Sequence, residues 1–163
     1  MNQTCVVIGA SHAAASFVTG LRQDGWEGKI QVIGDEPYIP YHRHPLSKAL
    51  LAGEKNLEDI FIRPEEVYLK ADVEFLLGVK AKEIDVNNHQ IVLANTKKIH
   101  YDKLALTVGS RVRKISMPGD DLLGVCYLRD YNDVLQIKSF VKQGGKAVII
   151  GGGVVGCSVA YHL

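Results

Sequence analysis

The chain has 163 residues, 47% of them hydrophobic and 23% charged, a balance that excludes an intrinsically disordered segment and suffices for one well-buried core. Lys and Arg total 19 against 18 Asp and Glu, a formal net charge of +1, so no single-sign field draws nucleic acid or an anionic membrane. No apolar run approaches the roughly 20 residues that span a bilayer, and the first residues offer no charged, cleavable leader, so the expected location is the cytoplasm.

Thr4-Cys5-Val6-Val7-Ile8 is apolar and β-branched without alternation, the pattern of a strand buried on both faces of a parallel sheet. Gly9 ends it. From Ser11 to about Gln23, Ala13, Ala14, Phe17, Val18 and Leu21 recur at helical spacing, and Gly25 supplies a stop. Lys29-Ile30-Gln31-Val32-Ile33 reads as a second strand, completing a β-α-β unit with Asp35 and Glu36 just beyond it. Residues 37–53 carry three prolines and are expected to be loop, with a short helical piece from Leu46 to Leu51.

Pro64 can start a helix through Leu69, followed by a third buried strand from Val73 to Leu77. Residues 80–86, 90–93 and 98–101 form an antiparallel meander about the turn Asn87-Asn88-His89, expected to cover one sheet edge. Leu104 to Val108 is a further apolar strand ending in Gly109-Ser110, and the chain to Gly124 is loop. Residues 131–143 have helical spacing and stop at Gly144-Gly145. Then the opening repeats: Lys146-Ala147-Val148-Ile149-Ile150 as a buried strand, Gly151-Gly152-Gly153 as a turn, and a helix from Val154. The expected fold class is α/β and Rossmann-like, with a parallel sheet and a small meander, then the first strand-turn-helix of a second such unit.

Both strand-to-helix turns are candidate phosphate sites. A helix amino terminus presents unpaired N–H groups and partial positive charge, and close approach of a pyrophosphate requires little or no side chain. Gly151-x-Gly153-x-x-Gly156 meets both the spacing and the context of a dinucleotide fingerprint. The first turn, Gly9-Ala10-Ser11-His12-Ala13-Ala14, keeps the first glycine but has Ser11 and Ala14 at the other two places; Ala14 still permits close packing, and Ser11 adds a hydroxyl beside the phosphates. Asp35 lies about 20 residues further on, where a carboxylate accepts hydrogen bonds from ribose hydroxyls. A solvated Asp35-Glu36 pair is the alternative reading, and a plain tight turn is the alternative at the glycines.

Cys5, Cys126 and Cys157 are odd in number and widely spaced, so buried free thiols are expected, with no redox pair. His12, His42 and His44 lack carboxylate or thiolate partners at ligand spacing, and no metal is expected.

Residues 6–14, Gly34-Asp35-Glu36-Pro37 and Arg43-His44-Pro45-Leu46-Ser47-Lys48 resemble the FAD-dependent ferredoxin/rubredoxin reductases that serve oxygenase systems. Tyr101 to Ser110 is similar to that family's strand and T-x-G turn, and Tyr127-Leu128-Arg129 to the segment before its NAD half. The resemblance implies FAD and NAD(P)H as cofactors and a ferredoxin or rubredoxin as electron acceptor. It implies an FAD-binding region over 1–110, a connecting loop and helix over 111–144, and the start of an NAD(P)H-binding domain over 145–163. It further implies that Gly9, Ser11, His12, Ala13 and Ala14 surround the FAD pyrophosphate, that Asp35 and Glu36 take the ribose, and that Ala81 offers backbone near the adenine. Arg43, Thr107, Gly109 and Arg129 are implied to contact FAD, Gly151, Gly153 and Gly156 to contact the nicotinamide dinucleotide, and Lys48 to be the catalytic cation near the flavin N5/O4 edge.

Two positions depart from that family's pattern. His44 stands where proline is common, and Ser158 where many members have a glutamate that pairs with the flavin-side lysine. Family members also continue well past this length, so the resemblance implies the amino-terminal part of a longer protein that alone binds FAD weakly or not at all. A flavin NADH oxidase, an apoptosis-inducing-factor-like oxidoreductase and a non-catalytic nucleotide-binding fragment are the alternative functions.

Overall fold

The computed structural model describes residues 3–163. In chain order the strands are Thr4–Ile8 (β1), Lys29–Ile33 (β2), Val73–Leu76 (β3), Ala81–Asp85 (β4), Gln90–Leu93 (β5), Lys98–His100 (β6) and Lys103–Leu106 (β7). The helices are His12–Gln23 (α1), Glu65–Lys70 (α2), Tyr131–Phe140 (α3) and Val154–His162 (α4). The chain divides into two compact units: Met1–Tyr41 with Phe61–Gly109, and His42–Ile60 with Ser110–Leu163.

The first unit is built on a four-stranded parallel sheet of order β3-β2-β1-β7. β1 lies at its centre, pairing Val7 with Val32 on one side and with Ala105 on the other, so both its faces are covered and its residues need no polar alternation. On one face Cys5, Val7, Ile30 and Val32 pack with Ala14, Ala15 and Val18 of α1 and Tyr68 of α2. On the other, Val6, Ile8 and Ile33 pack with Ile91, Leu93 and Ile99. These last three come from the antiparallel sheet β4-β5-β6. The meander therefore covers a face of the parallel sheet, not the edge expected from sequence: Ile91 and Leu93 alternate inward along β5 and need an apolar surface to bury against. Each fully buried aliphatic side chain here contributes about 1.5–3 kcal/mol relative to exposure.

The amino ends of these strands are tied together by Arg22, in the last turn of α1. Its guanidinium donates to four carbonyls: Ala71 at 2.7 Å, Trp26 at 2.6 Å, Gly28 at 2.7 Å and Asp72 at 3.0 Å. These carbonyls belong to the segments leading into β2 and β3.

In the second unit α3 begins with a reciprocal cap, the Asp130 carboxylate accepting from the Asp133 amide while Asp133 accepts from the Asp130 amide, both at 3.0 Å. The helix ends at Phe140, short of the expected Gln143, because Val141 turns extended and Gly145 closes a turn onto Lys142. The helical piece expected at 46–51 is instead a 3-10 turn, His44–Ser47, followed by hydrogen-bonded turns. Pro45 sits in its first turn, and Lys48 (φ −131°, ψ −118°) leaves helical geometry.

The strand expected over 146–150 does not form. That segment makes no ladder among the described residues, and Val148 and Ile150 are 89% and 65% exposed. Apolar β-branched residues favour extended backbone, but a strand exists only with a neighbour to exchange hydrogen bonds. Of the three free thiols expected to be buried, Cys5 is, whereas Cys126 is half-buried and Cys157 exposed. Cys157 projects from a helix none of whose residues is buried, so nothing covers it.

Candidate functional site

The turn after β1 is shaped by close backbone packing. Gly9 has φ +108°, and a Cβ there would stand 2.3 Å from the Thr107 carbonyl oxygen. Its amide donates to the Ile33 carbonyl at 2.8 Å, while the Thr107 hydroxyl donates to the carbonyls of Gly9 (2.8 Å) and Ile8 (3.1 Å). Thr107 thus anchors the turn's carbonyls from the strand alongside. Ser11 is the N-cap of α1 and makes no side-chain cap bond, and no acidic residue occupies the first turn. His12 and Ala13 open the helix, and Ala14, at the motif's third position, is buried against the sheet. The result is a helix amino end with net partial positive charge and little side-chain bulk at its entry.

Asp35 and Glu36 follow β2 at the same carboxyl end of the sheet, but their environments differ. Glu36 accepts a hydrogen bond from the Tyr41 hydroxyl, whereas Asp35 is exposed and lines a cavity of about 670 Å³ with Leu76, Leu77, Gly78, Val79 and Lys80. Neither Gly9 nor Thr107 lines that cavity. Ala81, the first residue of β4, follows directly after its Val79-Lys80 wall, and Gly109 has φ +63° two residues past Thr107. Sequence reasoning missed two neighbours. A Cβ on Gly34 would stand 2.7 Å from the Ala10 Cβ, so the end of β2 and the glycine turn are mutually fitted; a glycine just after the second strand is the available signal. Tyr41 had no signal, since its partnership with Glu36 arises only from the loop's path.

The remaining candidates lie in the second unit. Arg43 donates to the Arg129 carbonyl at 3.4 Å, and the Arg129 amide donates at 2.6 Å to the Asp133 carboxylate of the α3 cap, which fixes that strip of backbone. Lys48 is exposed at the end of the 3-10 turn. Gly151 has φ +118°, Gly152 and Gly153 have open space where a Cβ would go, and a Cβ on Gly156 would lie 2.0 Å from the Gly151 carbonyl oxygen. Those are the three roles of the fingerprint: tight turn, free approach, close helix contact. Ser158, two residues on, donates to the Ser47 carbonyl at 2.7 Å. Cys126 is pushed up from its ordinary thiol value by burial and by the Asp133 carboxylate, and Cys5 by burial, so both stay neutral at pH 7. Among the described residues no group of three or more His, Cys, Asp and Glu side chains could hold a metal ion, and no helix is long and apolar enough to cross a membrane.

The two turns fit pyrophosphate-bearing cofactors on these observations: one needs glycine where a Cβ would strike backbone, and the other leaves its glycines open to approach with no side chain nearby. The chain is 38% identical over 160 residues to the biphenyl dioxygenase system ferredoxin–NAD(+) reductase component of Paraburkholderia xenovorans, covering 98% of this chain and 39% of the relative. It is 35% identical over 159 residues to the probable ferredoxin reductase CtmF of Castellaniella defragrans, with the same coverages. The solved structure of NADH:rubredoxin oxidoreductase from Clostridium acetobutylicum superposes with a TM-score of 0.84 at 32% identity, over 99% of this chain and 42% of that one. The chain thus spans about two fifths of the length of these relatives. The model of pyridine nucleotide-disulphide oxidoreductases matches residues 3–163, and the chain belongs to that family.

Proposed function

We infer that the protein is an FAD-dependent NAD(P)H oxidoreductase that passes electrons to a ferredoxin or rubredoxin of an oxygenase system. The observation that carries this reading is the Gly9 turn, whose missing side chain, Thr107 anchor and uncapped helix entry together suit an anionic group. The reductase names of the relatives support the electron acceptor. FAD supplies the chemistry, since it accepts a hydride and releases electrons singly.

The residues have distinct work. Ser11, His12, Ala13 and Ala14 hold the FAD pyrophosphate by backbone N–H groups, with Gly9 giving the turn a bare surface beside it and Thr107 and Gly109 keeping that corner in shape. Asp35 accepts from the adenosine ribose, Glu36 supports it while held by Tyr41, and Ala81 offers backbone to the adenine. Arg43 and Arg129 neutralise cofactor charge, and Lys48 stabilises negative charge at the flavin's N5/O4 edge. Gly151, Gly153 and Gly156 receive the pyrophosphate of NAD(P)H. Residues 1–110 form the FAD-binding region, 111–144 the connection, and 145–163 the start of the NAD(P)H-binding region.

Amide chemical-shift titration of the chain with FAD tests the reading. Binding is weak, and shifts should concentrate at residues 9–14 and Thr107. Ser11→Asp is the informative variant: a carboxylate is an excellent N-cap and leaves α1 stable, yet it repels phosphate, so the shifts should disappear. Equal shifts in the variant, or native shifts that fall outside residues 9–14 and Thr107, would overturn the assignment.

A further inference from the structure

The segment that carries Lys48 is held from outside by side chains that donate to its backbone. Ser158 of α4 donates to the Ser47 carbonyl at 2.7 Å, and Lys138 of α3 reaches the Leu50 carbonyl at 3.5 Å. The first contact is the shorter and lies one peptide from Lys48. It joins residues 111 positions apart, and Ser47 itself is buried. The chemistry of the donor matters. Ser47 offers a carbonyl oxygen, which requires an O–H or N–H; a carboxylate at position 158 accepts only and would face that oxygen with like charge. Serine at 158 is therefore fitted to the backbone of the lysine-bearing segment and makes a bond that an ionised glutamate there could not.

We propose that Ser158 is a positioning residue for Lys48: its hydroxyl fixes the Ser47-Lys48 peptide and so links the helix that begins at the Gly151-Gly153 turn to the segment bearing the flavin-side cation. The proposal rests on the reading of Lys48 and of that turn given above. The amides of Lys48 and Leu50, both bonded to the Pro45 carbonyl at 3.0 Å, and of Ala52, bonded to the Lys48 carbonyl at 2.9 Å, report on the segment. When the Ser47 carbonyl loses its donor, the 3-10 turn opens more often and these amides exchange faster. Because α4 starts at the nucleotide turn, the same bond carries any displacement of that helix to Lys48.

Hydrogen exchange in the intact 163-residue chain tests this, with Ser158→Ala, Ser158→Thr and the control Ser139→Ala, whose hydroxyl donates to Gln136 within α3 at 2.7 Å. Alanine is the better helix former, so α4 is retained. Ser158→Ala should speed exchange at Lys48, Leu50 and Ala52 about tenfold, one bond's worth of protection, while amides of α3 keep their rates. Ser158→Thr, which keeps the hydroxyl, should restore native rates, and Ser139→Ala should match the native chain. Unchanged rates in Ser158→Ala, acceleration spread equally through α3, or acceleration that threonine does not reverse would each overturn the proposal. An FAD titration separates it from the reading beneath: a segment loosened by Ser158→Ala whose Lys48 resonances ignore FAD leaves the hydrogen bond standing and removes the flavin role.

Discussion

The two glycine turns are written alike and built differently. Gly9 is inserted between packed strands: Ile33 accepts its amide, Thr107 holds its carbonyl, and a single methyl group there would strike backbone. Gly151 has the same left-handed φ, but among the described residues the run before it pairs with no strand, and Gly152 and Gly153 look onto open space. A motif of spaced glycines thus specifies the corner alone; whether the corner is rigid depends on the ladder on either side of it. In the first turn the corner and the sheet are one structure. In the second, the corner stands without that support.

Thiol reactivity gives the widest separation between the regions. Cys157 on α4 should alkylate at the rate of a free thiol, whereas Cys5 on β1, buried and pushed up from its ordinary value by desolvation, reacts only through unfolding; at pH 8 its rate should be about a thousandfold lower or less. Equal rates would mean that β1 is not the protected centre described above. Next in size is the pair Gly9→Ala and Gly153→Ala. The first forces a Cβ to 2.3 Å from Thr107 O at φ +108° and should cost about 3 kcal/mol or more in denaturant unfolding; the second, at φ −79° with nothing nearby, should stay within about 0.5 kcal/mol.

Smaller still is the contrast between Val7→Ala, which empties a fully buried position and should cost about 2 kcal/mol, and Val148→Ala at 89% exposure, which should cost almost nothing. The smallest effect concerns Glu74, whose carboxyl lies below its usual range chiefly because the Lys29 ammonium, 2.7 Å away, hydrogen-bonds it. A depressed carboxylate stabilises the fold above its unfolded value near pH 4.5 and loses that contribution as pH falls through the lower folded value. Both side chains are about half exposed, so Glu74→Gln should cost about 0.5 kcal/mol or less at pH 7 and progressively less as the pH falls below 4.5; a constant difference across that range would rule out the pair as its source.

Where a sequence signal is local, it was legible. Non-alternating valines and isoleucines at 4–8 and 29–33 marked central strands, and Gly9 marked the corner between strand and helix. Signals failed where the outcome depends on a distant partner. The apolar run at 146–150 reads as strongly as β1 but has no neighbouring ladder among the described residues, and the meander's choice of face over edge needs the apolar surface of β1 and β2 as well as its own inward-facing residues. The same holds for Tyr41 on Glu36 and Ser158 on Ser47, contacts whose members are ordinary polar residues until the loops bring them together.

Arg22 adds a consequence of another kind. By gathering four carbonyls at the end of the sheet opposite the glycine corner, one side chain ties together the connections there. That end is a fixed floor. Drift in the rim residues at the other end can therefore retune what the protein recognises while the foundation keeps its geometry, and a substitution at Arg22 would be felt as lost architecture and not as altered preference.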